Sequence, residues 1–100
     1  MDYQPVQQSL MHTHLVSYDL IKPHKDYASL INFMKSYSQW AKPLESVWLV
    51  KNNFTAEETR NQIQKHTDAN DKVFVVTVTK ESAAWVNLDN DVSSWIKNNL

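Results

Sequence analysis

The chain is predicted to be an α+β domain with the element order strand, helix, one or two strands, helix, strand, followed by a C-terminal extension. Three observations carry that reading. Residues 13–20, THLVSYDL, alternate as a strand does, with His14, Val16, Tyr18 and Leu20 on one side and Thr13, Leu15, Ser17 and Asp19 on the other. Tyr27, Leu30, Ile31, Met34 and Tyr37 recur at helical spacing and form one apolar stripe. Five of the eight residues of Lys72 to Thr79 are Val or Phe and two more are Thr, the composition of a strand with much of its surface buried.

The 100-residue length suits one domain, large enough to bury roughly 65% of the surface its unfolded chain exposes. Residues 1–12 hold Pro5 and no period and are expected to be a flexible arm, with residues 13–100 as the single folded domain. Cysteine is absent, which removes disulfides, thiolate metal sites and thiol nucleophiles together. No run approaches the ~18 apolar residues of a membrane span, and the N-terminus lacks the charge and apolar core of a signal peptide. A soluble, cytoplasmic protein with no membrane partner is expected.

Ten basic residues against eleven acidic ones leave a formal charge of -1, so any grip on phosphate has to be local. Glycine is also absent, where about 7 would be usual. Phosphate-cradling glycine loops, dinucleotide fingerprints and a G-x-S-x-G nucleophile turn are therefore excluded, because each needs a backbone approach that a side chain blocks. Left-handed turn positions must fall to Asn or Asp, which cluster at Asn52-Asn53, Asn70-Asp71 and Asn87 to Asn90.

After the first strand, Pro23 holds Lys22 out of helical geometry and Asp26 can cap the helix that follows. Leu44 to Lys51, LESVWLVK, is too apolar to have one wet face and reads as a strand buried on much of both sides, with Gln39 to Lys42 either part of the same element or a short partner strand. Thr55-Ala56-Glu57-Glu58 is a capping box, which starts a second, more polar helix running to about His66 and burying Ala56, Thr59 and Ile63. The Val-rich strand after the turn at Asp68 to Asp71 is assigned a central place in the sheet. Ala83 to Leu88 is read as a short edge strand, and Asp89 to Asp91 can cap a last helix whose Val92, Trp95, Ile96 and Leu100 share a stripe. The expected core is Leu15, Leu30, Ile31, Met34, Val47, Leu49, Ile63, Val73, Val75 and Val76.

This order is the βαββαβ pattern of a ferredoxin-like sandwich, an antiparallel sheet with both helices on one face and here a C-terminal strand and helix added. Small sheets of this kind leave a face or edge bare, and four Trp with four Tyr supply apolar area for a partner to cover. A homodimer is expected.

Asp19 is the foremost candidate for chemistry. An acid at the end of a strand, beside a loop carrying Lys22, His24 and Lys25, can bind Mg²⁺ or Mn²⁺ while the three bases bind phosphate. One carboxylate becomes two if a two-fold axis joins the Asp19 residues of two subunits. The alternative is a turn or cap residue. His12 and His14 lie two apart on one side of the strand and can join in binding a transition metal, although no third ligand is near them in sequence.

The combination of SYDL at the end of the first strand, MKSYS at the end of the first helix and ESVWLVK resembles the small CRISPR-associated ferredoxin-fold family. Members of that family scaffold spacer integration in antiviral defence, and some are metal-dependent nucleases. The chain is also similar to the virulence-associated protein D toxins. The resemblance covers about Leu15 to Thr79 and implies that Asp19, after Tyr18, is the catalytic and metal-binding acid, with Ser46, Val47 and Trp48 matching the next strand. It departs from the family in having a single arginine, Arg60, and Ser38 and Asn52 where glycines are usual. Two functions follow. One is a nucleic-acid-associated homodimer cleaving RNA or DNA with Mg²⁺ or Mn²⁺, and the other a non-catalytic, protein-binding adaptor or toxin-antitoxin-like partner of the same fold.

Overall fold

A computed structural model describes residues 11–21, 27–79 and 81–100. They form β1 (His12–Asp19), α1 (Ala28–Lys35), β2 (Gln39–Leu44), β3 (Val47–Asn52), α2 (Ala56–Gln64), β4 (Lys72–Val78) and α3 (Asn90–Asn99). The four strands make one antiparallel sheet in the order β2-β3-β1-β4, so the protein is α+β. β1 starts at His12, which is in register with Asn52, so the sheet includes the last residue of the expected arm, whose residues 1–10 lie outside the described ones.

The alternation of β1 decides how the sheet is packed. Val16 and Tyr18 join Trp48 and Val50 of β3, Leu30 and Met34 of α1 and Ile63 of α2 in one buried cluster, which places both helices on the same face. The α1 stripe is as expected, with Tyr27, Ile31 and Tyr37 partly buried around it. Shutting off a side chain the size of Leu30 or Met34 stabilises the fold by about 2 kcal/mol. The Trp48 indole donates to the Tyr18 hydroxyl at 2.8 Å, so this core buries no orphaned indole N–H.

Of the expected core, Leu30, Met34, Leu49 and Ile63 are buried, and its members divide between the two faces of the sheet. Leu15 and Leu49 are register partners on the opposite face, Val47 lies beside them half-buried, and Val76 is 37% exposed. Both sides of β1 and β3 are apolar, and the residues that mark the helix-covered side include the polar His14 and Asn52, so periodicity alone does not select it. Trp48, Leu49 and Val50 are all buried, as a strand covered on both faces requires.

Residues 39–52 hold two strands joined at Glu45 and Ser46. Pro43 lies within β2, which is an edge strand and tolerates a missing N–H, and the register shifts between Ala41 and Leu44. β4 is the other edge of this sheet, not the centre as its composition suggested, because among the described residues its only strand neighbour is β1. Phe74 accordingly stands 60% exposed.

At α2 the capping box is complete: Thr55 Oγ1 accepts from the Glu58 amide at 3.0 Å and Glu58 Oε1 from the Thr55 amide at 2.9 Å. α1 has Tyr27 at its N-cap without a side-chain cap bond, and the expected cap Asp26 lies outside the described residues. Ala83 to Leu88 is not a strand. It crosses the second face as irregular chain and turns at Asn87, whose φ of 65° is the one left-handed value among the described residues. With no glycine available, Asn takes that position at the least steric cost.

Candidate functional site

Asp19 ends β1 in an exposed position and is in register with Lys72 of β4. With Ser17, Tyr18, Val73 and Phe74 the two line a shallow depression of about 250 Å³. Lys22, His24 and Lys25, the expected phosphate-binding residues, lie outside the described residues. Among the described residues no group of three or more His, Asp or Glu could hold a metal ion. Mg²⁺ requires near-octahedral oxygen ligation, so Asp19 would supply one ligand of the expected Mg²⁺ or Mn²⁺ site and the remaining oxygens would have to come from water or from the Asp19 of a second subunit.

A second acid at this end, Asp71, was legible only as part of a turn. Its Oδ1 accepts from the Ile21 amide at 2.9 Å, its Oδ2 from the Asp68 amide at 2.8 Å, and both from the Tyr27 hydroxyl at 3.2 and 3.1 Å. One carboxylate thus ties the end of β1, the start of α1 and the turn before β4. Burial works against the charged form, but the amides of Ile21 and Asp68 and the Tyr27 hydroxyl outweigh it and hold the carboxyl below its ordinary value. These bonds leave little of Asp71 for a metal.

His14 is fully buried and engaged on both ring nitrogens. Its Nε2 lies 3.0 Å from Asn52 Oδ1 and 3.0 Å from the Phe54 carbonyl, both acceptors, so Nε2 carries the proton. Nδ1 then accepts from the Thr77 hydroxyl at 3.0 Å. Asn52 Oδ1 also accepts from the Phe54 amide, and its Nδ2 donates to Thr59, whose hydroxyl donates to the Thr55 carbonyl. Burial lowers the His14 pKa from 6.5, against the bonds to Asn52 and Phe54 that raise it. Of the candidate His12–His14 metal pair, His14 is thus a buried, hydrogen-bonded histidine and His12 an exposed one, their rings 5.9 Å apart.

An apolar cleft of about 490 Å³ lies on the second face of the sheet. Leu15, Val47 and Leu49 form its floor, and Trp85, Ile96 and Leu100 its far wall. Two bonds hold that wall: Trp85 Nε1 donates to Ser93 Oγ at 2.9 Å, and Thr13 Oγ1 to the Asn99 carbonyl at 3.0 Å. Among the described residues the lining includes no charged side chain and no histidine. Leu44 and Val86, which also line it, are 59% and 76% exposed. The apolar run Ala83 to Leu88 was the sequence signal for this feature, read as a strand instead. No helix among the described residues is long and apolar enough to cross a membrane.

No family model matches the chain, and no solved structure does.

Proposed function

We propose that the chain is a non-catalytic, protein-binding module of ferredoxin-like type that acts as a homodimer and takes an apolar segment of a partner protein into the cleft on its second face. The single observation that carries this is the chemistry of the cleft, whose described lining offers apolar surface and a few hydroxyls but no charged side chain for phosphate. The fold assignment is supported by the central β1 and β3, the outer β2 and β4, and α1 and α2 sharing one face. The kinship to CRISPR-associated and virulence-associated proteins stays within the same proposal as a relation of fold. A relative can keep the fold while losing the reaction.

The test has two arms. A neutral apolar dye such as N-phenyl-1-naphthylamine is expected to bind the wild type and to lose at least tenfold in affinity in Ala84→Trp, which fills the cleft. Wild type is expected to cleave neither RNA nor DNA with Mg²⁺ or Mn²⁺. Metal-dependent cleavage that disappears in Asp19→Asn would overturn the proposal and restore the nuclease reading.

A further inference from the structure

The two edges of the sheet are built differently. β2 carries Lys42 and Pro43, its register with β3 shifts between Ala41 and Leu44, and α3 packs against it. These are the devices by which natural sheets stop a strand from adding to an edge. β4, although α2 packs against it, has no charge, no proline and no register shift over Val73 to Val78, VFVVTV. Its outer edge has no strand neighbour among the described residues. Phe74 and Val76 are 60% and 37% exposed on the face away from α1 and α2, where they are in register with Ser17 and Leu15.

We propose that this edge is the dimer interface: β4 of one copy pairs antiparallel with β4 of a second copy about a two-fold axis through Val75, giving one continuous eight-stranded sheet. This rests on the homodimer reading above and specifies its surface. The sequence of the strand favours a second copy because it is complementary to itself. With Val75 opposite Val75, Phe74 falls opposite Val76 of the partner subunit, and Val73 opposite the partner's Thr77, so each residue meets one on the same face of the joined sheet. Aromatic against β-branched is a stabilising cross-strand pair, and the axis produces it twice. Lys72, the one charge of the strand, falls opposite the partner's Val78, so the two lysines sit at opposite ends and do not repel. The bare backbone groups of both edges are satisfied in the same step.

The arrangement also fixes where the acids go. Asp19 lies level with Lys72, so the two Asp19 residues are separated by three interstrand spacings, about 14 Å, and by six residues along the strand, about 20 Å. This dimer keeps them roughly 25 Å apart, and no two-carboxylate site forms.

The chain has no cysteine, so a single introduced one reports a single position. Val75→Cys, on the axis, places two sulfurs within disulfide reach, because directly opposed residues have Cα atoms about 4.5 to 5.5 Å apart. Under mild oxidation it is expected to form a covalent dimer in high yield, while Ser94→Cys, exposed on α3, does not. Phe74→Lys, at an exposed site where the fold is little affected, is expected to weaken self-association at least tenfold in sedimentation equilibrium, with an unchanged circular dichroism spectrum. A wild-type dimer that is unaffected by Phe74→Lys and in which Val75→Cys fails to cross-link would overturn the β4 interface and leave the homodimer standing on another surface. A wild type that stays at 11.7 kDa at every concentration would overturn both.

Discussion

On the face under α1 and α2, Val16, Trp48, Val50, Leu30, Met34 and Ile63 are all closed to solvent, whereas on the opposite face the buried apolar residues are Ala41, Leu49 and Ile96. The difference follows from what covers each side. Two amphipathic helices lie over the first, and their apolar stripes meet in one cluster with the sheet. The second has a ten-residue helix packed toward β2 and an irregular segment, too little to cover four strands, so it keeps a cleft and leaves Phe74 bare. Among the described residues, the first face holds the buried cluster and the second keeps the cleft.

Paired substitutions at isoleucine test that division most directly. Ile63→Ala, on the closed side, removes a side chain with no room for its neighbours to collapse and should cost about 4 kcal/mol in urea unfolding. Equal losses for Ile63→Ala and Ile96→Ala would erase the distinction between the faces. His14→Ala should come next, at about 3 kcal/mol, because it empties a fully buried site and strands the buried Asn52 partner. His14 also gives the wild type a pH signature. Its folded-state pKa lies below the ordinary 6.5, so the unfolded chain binds more protons, and stability is complete above that value and declines as the pH falls below it. Melting temperatures from pH 7.5 to 5 should show the decline in wild type and a flatter profile in His14→Gln.

Ile96→Ala, beside the cleft, can be partly relaxed into and should cost about 2 kcal/mol, read on the same urea curves. Asp19→Asn is the smallest expected effect, within about 0.5 kcal/mol, since the residue is exposed at a strand end. Its melting temperature should be the same with Mg²⁺ and with chelator, as for wild type; a metal-dependent rise confined to wild type would place a functional ion on the second face and sharpen its role.

Much of this architecture was legible where a local rule acts alone. The Thr55/Glu58 box, the α1 stripe and the alternation of β1 each depend on residues within one element, and each appears in the structure. Sheet order does not work that way. β4 is Val-rich and yet an edge, because composition reports how well a strand packs and not how many neighbours the chain path gives it. The choice of core face was hidden for a related reason: His14 is a polar residue whose burial is satisfied by Asn52, Phe54 and Thr77, and those partners come from distant segments. Asp19 was visible as an acid at a strand end, but its register partner Lys72, 53 positions later, was not. Asp71 read as a turn residue, although it also joins Ile21 and Tyr27.

The left-handed Asn87 has a consequence for the state in which the protein is not folded. A glycine at such a turn would cost the native chain less strain and the denatured chain more freedom, and a change of this kind is worth about 0.4 to 1 kcal/mol in unfolded-state entropy. A chain of this size would ordinarily carry about 7 glycines, and this one carries none. Its denatured ensemble is therefore stiffer than usual and has several kcal/mol less disorder to surrender, a rough figure on the same scale. Part of the stability of this small domain thus resides outside its native contacts, and Asn87→Gly is expected to leave the melting temperature nearly unchanged, relief of strain and added freedom offsetting each other.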